Sequence, residues 1–403
     1  MDNSPSPTVG LDRTNSPWRT NPSAPFRLLF VISNLSFAGG QRQMLLLAEH
    51  MDRNKFTPEI CTLSEGGGLE SEIAKLKIPL WRITKKFRWD PSIFFRFASL
   101  CRQRQTQVVY SFLDFDNLVG RIGGRLANVP LIIASELSAD YTLPFLKDRL
   151  DRWTANWSDF NLANTFAGER FLIKSRKISK ERIKVIHSSL DPKVLEPTMG
   201  MGEVRQKYSI PQDTIVVGMA ARRRPQKNWE LCFKVADVIT SNYSKVWFLL
   251  LGDTAPTFDD YSKWIDTRQQ QLRHRDRVIL GGHLADIGAF YREIDIFLIT
   301  SDHEGLPNVL MGAMAYGVPV VATDVGDNEY LVGSQGGFIT PIGNEHPLIS
   351  GLSKLIEDSE LRRLKGEYNR QRASELFSVS RMVSETETII QELYWRKHSI
   401  KNL

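Results

Sequence analysis

The chain has 403 residues, a formal net charge of +6 at pH 7, and 42% hydrophobic residues. This length exceeds one ordinary hydrophobic core and predicts two domains, and the composition is that of a water-soluble globular protein. The sequence contains neither an apolar stretch of the roughly 20 residues that span a bilayer nor a secretory signal at its start. Its three cysteines lie far apart, which argues against a metal site or a disulfide framework and predicts a cytoplasmic protein.

Charge and composition vary along the chain. Residues 1–190 contain 27 Lys and Arg against 18 Asp and Glu, whereas the remainder contains 25 against 28. The basic half is therefore the half expected to meet an anionic partner. Residues 1–25 are rich in Pro, Ser and Asn, and we predict that they form a disordered tail.

Strand-like and helix-like segments alternate through residues 26–191, the predicted first domain. RLLFVIS predicts the first strand, and QRQMLLLAEHM predicts a helix after the loop NLSFAGG. Further strands are predicted at CTLSEGG, IPLWRI, VVYSFL, PLIIAS and IKVIHSSLD. This alternation predicts a doubly wound α/β domain with a parallel sheet and helices on both faces.

The second half repeats the pattern. PKVLEPTMGMG carries Pro and Gly and predicts a linker, which we place at 192–205. Strands are predicted at TIVVGMA, KVWFLLLG, RVILGG, IDIFLIT and VPVVAT, with helices between them. We therefore predict a second doubly wound domain at 206–378 and a final helix at 379–403. Ligands bind at the carboxyl ends of strands in such sheets, so two facing domains would form a cleft.

A basic loop follows the first strand of the second domain. The segment AARRRPQKNWE offers Arg222, Arg223, Arg224 and Lys227 just before a helix. Forked guanidinium groups beside an ammonium group suit a diphosphate. An isolated basic cluster is, however, more often a solvated loop.

Two further segments lie where strands lead into helices. In SDHEGLPNVLMGAMAYGVPVVAT, Glu304 precedes Pro307 at a helix start, where free N–H groups bind anions, although an acid there can equally cap the helix. In FAGGQRQ, Gly39 and Gly40 permit close approach to a phosphate, although two glycines alone more often form a turn. Together with the basic loop, these segments predict a nucleoside diphosphate held between the domains.

These motifs carry a family resemblance. AARRRPQKN resembles the G-R-L-x-P-x-K-N loop of the retaining glycosyltransferases of family 4, also called group 1. LLLGD, VILGGHLADIGAFYREIDIFLITSDHEGLPNVL and AMAYGVPVVATDVGDN resemble the second-domain pattern of that family, and FAGGQRQMLLLAEHM resembles its Gly-Gly helix start. The resemblance implies the GT-B fold, in which two Rossmann-like domains face a cleft and a C-terminal helix crosses back to the first domain.

The resemblance also implies an activity. The chain would transfer a hexosyl group from a nucleotide-sugar donor, a UDP-sugar, to a saccharide or lipid-linked saccharide in polysaccharide or glycoconjugate biosynthesis. The anomeric configuration would be retained, without a cofactor or metal. A phosphate oxygen would accept the acceptor's proton in a front-face attack, so no enzymic nucleophile would be needed.

Site residues are implied at matching positions. Arg222 and Lys227 would neutralise the leaving diphosphate, and Glu304 would contact the donor sugar. Gly40, beside Gly39, would approach the diphosphate from the first domain. The remaining contacts would come from a nucleobase turn and from the backbone of the helix start: His283, Leu284, Gly305, Leu306, Pro307, Asn308 and Val309.

The sequence departs from the family at the second acid of its signature. The family has a glutamate, seven residues and a second glutamate that binds the ribose hydroxyls, but the second position here is Gly312. This loss raises the alternative of a sugar-nucleotide-binding protein of the same fold without catalysis. A nucleotide-sugar epimerase is a third and less favoured hypothesis. Binding of UDP to Gly312→Glu would distinguish a weakened site from a lost one.

Other departures concern the first domain. HSSLD replaces the family's Asn-Gly-x-Asp turn, and Asp191 is kept. ASELSAD lacks the histidine that many members carry, which leaves Glu136 as a weak acceptor-side candidate. The segment DFD, with Asp114 and Asp116, suggests a metal site, but we favour a plain loop or the edge of the acceptor cleft.

The segment 81–105, WRITKKFRWDPSIFFRFASLCRQRQ, interleaves aromatic and basic residues. Such a pattern suits an anionic membrane surface and would place the protein peripherally on the inner face of the membrane. The alternative, which we favour, is an ordinary helix that buries its phenylalanines. No nucleic-acid motif is present, so nucleic acid is not an expected partner.

Overall fold

The computed structural model describes residues 25–87, 90–137, 145–254 and 258–399. Residues 1–24 of the predicted tail, 88–89 of the aromatic and basic segment, 138–140 of ASELSAD and 400–403 of the final helix lie outside these ranges. The described residues form two α/β units whose strands and helices alternate as predicted.

A seven-stranded parallel sheet forms the first unit, in the order β3-β2-β1-β4-β5-β6-β7. Its strands are β1 (Phe26–Ile32), β2 (Phe56–Thr62), β3 (Leu80–Arg82), β4 (Val108–Ser111), β5 (Leu131–Glu136), β6 (Phe160–Ala163) and β7 (Ile183–Val185). Its helices are α1 (Gly39–His50), α2 (Glu70–Lys75), α3 (Ser92–Gln103), α4 (Asp114–Leu126), α5 (Phe145–Thr154) and α6 (Phe166–Arg176).

A six-stranded parallel sheet forms the second unit, in the order β10-β9-β8-β11-β12-β13. Its strands are β8 (Ile215–Ala220), β9 (Val246–Leu251), β10 (Val278–Gly282), β11 (Ile296–Ile299), β12 (Val320–Thr323) and β13 (Gly337–Thr340). The helices from the first sheet onward are α7 (Pro192–Leu195), α8 (Glu203–Lys207), α9 (Trp229–Asn242), α10 (Asp259–Gln270), α11 (Ile287–Glu293), α12 (Asn308–Ala315), α13 (Asn328–Gly336), α14 (Glu345–Glu357), α15 (Ser359–Leu376) and α16 (Val379–Ser399).

Each sheet is covered on both faces, which explains why its central strands are mostly apolar on both faces. Along β1, Phe30 packs into one core and Val31 into the core on the opposite face. Residues of β8 alternate in the same way, with Val216 in one core and Val217 in the other. Side chains of a strand alternate between faces, so a strand buried on both faces needs apolar residues at every position.

Two predicted strands have different limits in the structure, and two strands were not predicted. The strand predicted at CTLSEGG is the end of β2, which stops at Thr62, where its pairing with β1 stops. The strand predicted at 183–191 ends at Val185, because the following residues join the two units. The short strands β6 and β13 were not predicted.

The C-terminal helix α16 returns to the first unit. Met382, Val383, Ile390 and Tyr394 are buried in the core that covers one face of the first sheet. The ring of Tyr394 lies 4.8 Å from that of Phe26 at the start of β1. The predicted fold class, two doubly wound domains with a returning helix, is therefore confirmed.

The predicted linker is half helical. It contains α7 and the start of α8, and Val204 of α8 is buried in a core of the second unit. The domain limits at 191, 205 and 378 remain predictions.

Asp327 joins the two units. Its carboxylate accepts hydrogen bonds from the backbone N–H groups of Phe166 (2.7 Å) and Ala167 (3.2 Å) at the start of α6. His187 Nε2 lies 3.1 Å from the same carboxylate, and both side chains are almost fully buried. A carboxylate at a helix N-terminus satisfies free N–H groups and interacts favourably with the helix dipole. Asp327 of the second unit therefore fixes a helix of the first.

A second buried acid lies in the first unit. Asp116, in the first turn of α4, is 0% exposed and accepts a hydrogen bond from the Ser33 hydroxyl. Its other oxygen, Oδ2, has no hydrogen-bond partner in the described part of the chain. Burial raises the pKa of Asp116 to about 7. Asp114 instead lies toward Lys147, and no group of three His, Cys, Asp or Glu among the described residues could hold a metal ion.

We expect Asp327→Ala to lower the free energy of unfolding by about 2 to 4 kcal/mol, because the Phe166 and Ala167 N–H groups at the start of α6 lose their acceptor and the helix dipole loses a favourable charge. Urea denaturation followed by circular dichroism measures this change. Asp213→Ala, which removes a largely exposed partner of Lys245, should change stability by less than about 1 kcal/mol. Equal effects of the two substitutions would contradict the assigned role of Asp327.

Asp116 should make stability fall as the pH rises from about 4 to about 7. Its folded-state pKa is raised, so in this range the folded protein binds a proton that the unfolded chain releases. The stabilisation is complete below the unfolded pKa, is lost as the pH rises through about 7, and changes by at most about 1.4 kcal/mol per pH unit.

Urea denaturation at a series of pH values should show this slope in the wild type and a flatter profile in Asp116→Asn. Asp114→Asn, two residues away, serves as the matched control and should keep most of the slope, because burial raises the pKa of Asp116 more than the charge of Asp114 does. An unchanged profile in Asp116→Asn would show that the buried carboxyl does not titrate in this range.

Candidate functional site

A cleft opens at the carboxyl edge of the second sheet. Four loops, which follow β8, β9, β10 and β11, line a cavity of about 480 Å³. A volume of this size is typical of a small-molecule site. The cavity brings together most of the residues predicted for the site: Arg222, Lys227, His283, Leu284, Glu304, Leu306, Pro307, Asn308 and Val309.

The basic loop after β8 is joined to the loop after β11, which carries Glu304 and is termed the acidic loop. Three hydrogen bonds outside the Lys227–Glu304 pair connect them. The Thr300 hydroxyl donates to the Lys227 carbonyl (2.9 Å), and the Asp302 N–H donates to the Gln226 carbonyl (2.9 Å). Asn228 Nδ2 donates to Asp302 Oδ1 (2.8 Å), while Asn228 itself adopts the left-handed conformation and caps α9. These bonds hold the two loops at a fixed separation before any ligand binds.

Lys227 and Glu304 form an ion pair at the floor of the cleft. The Ser301 hydroxyl also donates to the Glu304 carboxylate (2.6 Å). The side chains of Lys227 and Glu304 are 15% and 8% exposed, respectively, so both charges lie largely out of water but reach the cavity. The carboxylate is thus directed by Lys227 and Ser301, and no side chain caps α12. Capping, the alternative considered for Glu304, is not what the structure shows.

The three arginines of the basic loop diverge. Arg222 is exposed and lines the cleft. Arg223 points away and pairs with Asp266 on α10 (2.8 Å). Arg224 also lines the cleft, and its Nε atom is buried without a hydrogen-bond partner in the described residues. The sequence could not show which arginines face the cleft, because this depends on how the loop turns after β8.

Two helix starts face each other across the units. A Cβ atom on Gly39, the first residue of α1, would lie 3.2 Å from Asn308 Nδ2 at the first turn of α12. A side chain at position 39 would therefore require the Asn308 side chain to move by a few tenths of an ångström. Both helix N-termini carry partial positive charge, so their meeting point favours an anion.

Gly40 and Gly305 lie beside this meeting point rather than on the cavity wall. A Cβ atom on Gly40 would lie 3.0 Å from Leu137, within the first unit. A Cβ atom on Gly305 would lie 3.7 Å from the Leu137 carbonyl oxygen. Leu137 therefore approaches both glycines. Their predicted backbone contacts with a ligand remain predictions.

The opposite end of the cavity is formed by the turn after β10. His283 is exposed and its Nδ1 atom lies 2.9 Å from Asp253 Oδ2, whereas Leu284 is 8% exposed. Asp253, Gln226 and Ile287 line the cavity as well but were not singled out from the sequence. Each of these residues follows a strand of the second sheet at its carboxyl edge. This position was the only feature of the sequence that could have indicated them.

Glu136, the acceptor-side candidate, is 6% exposed at the end of β5. It lies near enough to the buried Arg121 for its charge to act on that guanidinium. Asp191 caps α7 by accepting a hydrogen bond from the Lys193 N–H (2.9 Å) and pairs with Arg42 of α1. Both acids therefore have structural partners in the first unit or at its junction with the second.

The family described as "Glycosyltransferase Family 4" matches residues 37–194, and "Glycosyl transferases group 1" matches residues 201–372. The chain is 26% identical to a putative glycosyltransferase, EpsF, of Bacillus subtilis, over 75% of the chain and 80% of that protein.

A second relative is the Escherichia coli UDP-Gal:alpha-D-GlcNAc-diphosphoundecaprenol alpha-1,3-galactosyltransferase, which is 22% identical over 84% of the chain and 88% of that protein. Among solved structures, Anabaena Alr3699/HepE in complex with UDP superposes with a TM-score of 0.81 at 20% identity, covering 91% of the chain and all of HepE. The two family models together match most of the chain, one on each unit. The chain therefore belongs to glycosyltransferase family 4, the group 1 glycosyltransferases, and has their GT-B fold.

Proposed function

We propose that the protein transfers a hexosyl group from a UDP-sugar to a saccharide or lipid-linked saccharide, with retention of configuration and without a metal ion. The observation that carries this proposal is the convergence of Arg222, Lys227 and Glu304 beside two facing helix starts. A diphosphate needs fixed positive groups, and a sugar attached to it would lie against the carboxylate.

Uridine is the proposed nucleobase because of two comparisons. HepE, which shares the fold, was crystallised with UDP, and the E. coli relative is named for a UDP-sugar donor. That relative is also named for a diphosphoundecaprenol-linked acceptor, which supports a lipid-linked saccharide here. The proposed role is in polysaccharide or glycoconjugate biosynthesis.

The geometry suits the charge changes of glycosyl transfer. Cleavage of the bond between sugar and diphosphate builds negative charge on the leaving group and positive charge on the sugar. Arg222 and Lys227 would stabilise the first, and the Glu304 carboxylate the second. Because Lys227 already contacts Glu304, one ion pair would place opposite charges near the two ends of the breaking bond. A phosphate oxygen would accept the acceptor's proton.

Neither alternative function is supported by a specific observation. The non-catalytic alternative was motivated by Gly312, and the B. subtilis and E. coli relatives are both named as transferases rather than binding proteins or epimerases. The basic loop, the acid and the helix start are all present in one cleft.

A membrane surface for a lipid-linked acceptor is a further part of the proposal. In the segment 81–105, Phe97 is buried and Arg82, Arg96 and Arg104 pair with acids, as expected for an ordinary packed helix. Phe95 is nevertheless 64% exposed. None of the helices in the described ranges is long and apolar enough to span a membrane.

The exposed apolar surface extends beyond this segment. Phe145 and Trp153 of α5 are 72% and 65% exposed. Lys85 and Lys147 lie near each other, since burial and then the charge of Lys147 lower the pKa of Lys85. We propose that these aromatic and basic residues form a membrane-facing surface in the first unit.

The proposed activity should appear as release of UDP when the protein is incubated with UDP-sugars and a lipid-linked saccharide. A screen of UDP-, GDP- and ADP-sugars identifies the donor, and NMR of the product gives its anomeric configuration. We expect retention, and we expect activity to persist in EDTA. An inverted product, or loss of activity on chelation, would contradict the corresponding part of the proposal.

Arg222→Ala should lower kcat/KM by about 100-fold with little loss of stability, because Arg222 is exposed. Lys227→Ala should lower kcat/KM similarly and also destabilise the fold by about 1 to 3 kcal/mol, since Glu304 loses its partner. Arg223→Ala removes the same charge from the same loop but points away from the cleft, and it should leave kcat/KM near the wild-type value.

The membrane proposal predicts flotation with anionic liposomes at low salt and release at high salt. Phe95→Ser combined with Trp153→Ser should reduce the bound fraction several-fold, because both rings are exposed on the proposed surface. Trp395→Ser, at a 42% exposed aromatic of α16, is the control and should float like the wild type. Failure of the wild type to float at low salt would remove this part of the proposal.

A further inference from the structure

Gly312 lies against the ring of Tyr291. A Cβ atom on Gly312, in the second turn of α12, would lie 2.7 Å from Tyr291 Cζ and 2.9 Å from its hydroxyl oxygen. Real Cβ atoms do not approach other atoms this closely. The end of the Tyr291 side chain therefore occupies the place that a side chain at position 312 would take.

The ring of Tyr291 is held firmly. Tyr291 belongs to α11, is 2% exposed, and packs against Phe290, Phe297 and Tyr316 with ring centroids 5.4, 6.0 and 5.8 Å away. Aromatic rings packed on several sides do not swing aside cheaply. A glutamate at position 312 could therefore enter only by displacing the Tyr291 ring.

The hydroxyl end of Tyr291 faces a cavity. This second cavity, of about 180 Å³, lies between the units and shares Ile287, Asn308 and Val309 with the main cleft. Within the described part of the chain, no residue hydrogen-bonds the Tyr291 hydroxyl. Burial raises the pKa of Tyr291 well above its usual value, so the group stays a neutral hydroxyl that can both donate and accept.

The shared wall continues from two loops of the main cleft, because Ile287 follows the turn of His283 and Leu284, and Asn308 and Val309 follow Glu304. The basic loop and Glu304 are at one end, and His283 and Leu284 are at the other. A nucleoside diphosphate with its phosphates at the basic end and its base at the turn would place its ribose between them. Ribose offers hydroxyl groups, which a phenol recognises by hydrogen bonds.

We propose that the Tyr291 hydroxyl binds the ribose hydroxyls of the donor nucleotide, in the place that Gly312 leaves open. The inference rests on the proposed function, since it names a contact of the same nucleotide site. Tyr291 belongs to α11, whereas Gly312 belongs to α12. Gly312 therefore leaves the space, and Tyr291 supplies the polar group. In this arrangement Gly312 is required for the contact between Tyr291 and ribose, and it is not evidence that ribose binding has been lost.

The test is calorimetric titration of UDP, 2′-deoxy-UDP and 3′-deoxy-UDP into the wild type and Tyr291→Phe. Phenylalanine keeps the ring and its packing and removes only the hydroxyl. We expect the wild type to bind UDP about 3- to 10-fold more tightly than at least one deoxy analogue, the span of one neutral hydrogen bond. Tyr291→Phe should bind UDP more weakly by the same factor and no longer distinguish it from that analogue.

Tyr316→Phe is the matched control. Its hydroxyl donates to the Leu195 carbonyl and does not line the shared cavity, so the preference for ribose should survive. A preference kept by Tyr291→Phe would overturn the inference and leave the proposed function standing. Absence of binding by the wild type to any nucleoside diphosphate would overturn both.

A second experiment tests the steric conflict between a side chain at position 312 and the Tyr291 ring. Gly312→Glu alone should weaken UDP binding or lower the thermal midpoint, because the new side chain meets the Tyr291 ring. Gly312→Glu combined with Tyr291→Ala provides space and a carboxylate, and it should bind UDP more tightly than either single variant. If Gly312→Glu alone tightened binding in a fully stable protein, the steric argument would be wrong.

Discussion

The parallel pairing of strands is the constraint on which the site depends. In both sheets every pairing is parallel, so all loops that follow a strand leave the sheet at the same edge. The basic loop after β8 and the acidic loop after β11 are far apart in sequence but adjacent in the second sheet, because β8 and β11 are neighbours. The order of strands reverses at this pair, and the cleft opens there.

The two units meet through contacts that also position this edge. Asp327 caps α6 of the first unit, and Gly39 of α1 approaches Asn308 of α12. The helix α16 returns to the first core after crossing from the second unit. The first unit thus brings a helix start close to Asn308, which lines the cavity, although the residues that line the cavity itself all belong to the second unit.

Within the cleft, the ion pair of Lys227 and Glu304 both orients the lysine and partly neutralises its charge. A free basic loop would attract any anion, whereas a lysine paired with a carboxylate is already oriented and partly neutralised. Arg222 remains exposed beside it. Gly312 stands where the family has an acid. The Tyr291 ring fills the volume that a side chain at position 312 would take, and Tyr291 presents a hydroxyl to the shared cavity.

The sequence by itself determined the doubly wound class, most strands and the three loops of the site, because continuous apolar strands and loop chemistry are local properties. It placed Arg222, Lys227 and Glu304 at strand ends, but only the tertiary structure decided that Lys227 pairs with Glu304 and that Arg223 turns away to Asp266. It showed that Gly312 departs from a motif, but not that Tyr291, 21 positions earlier in the chain, lies against it. Such contacts depend on how helices pack on a shared sheet, and packing brings together residues whose separation along the chain carries no signal.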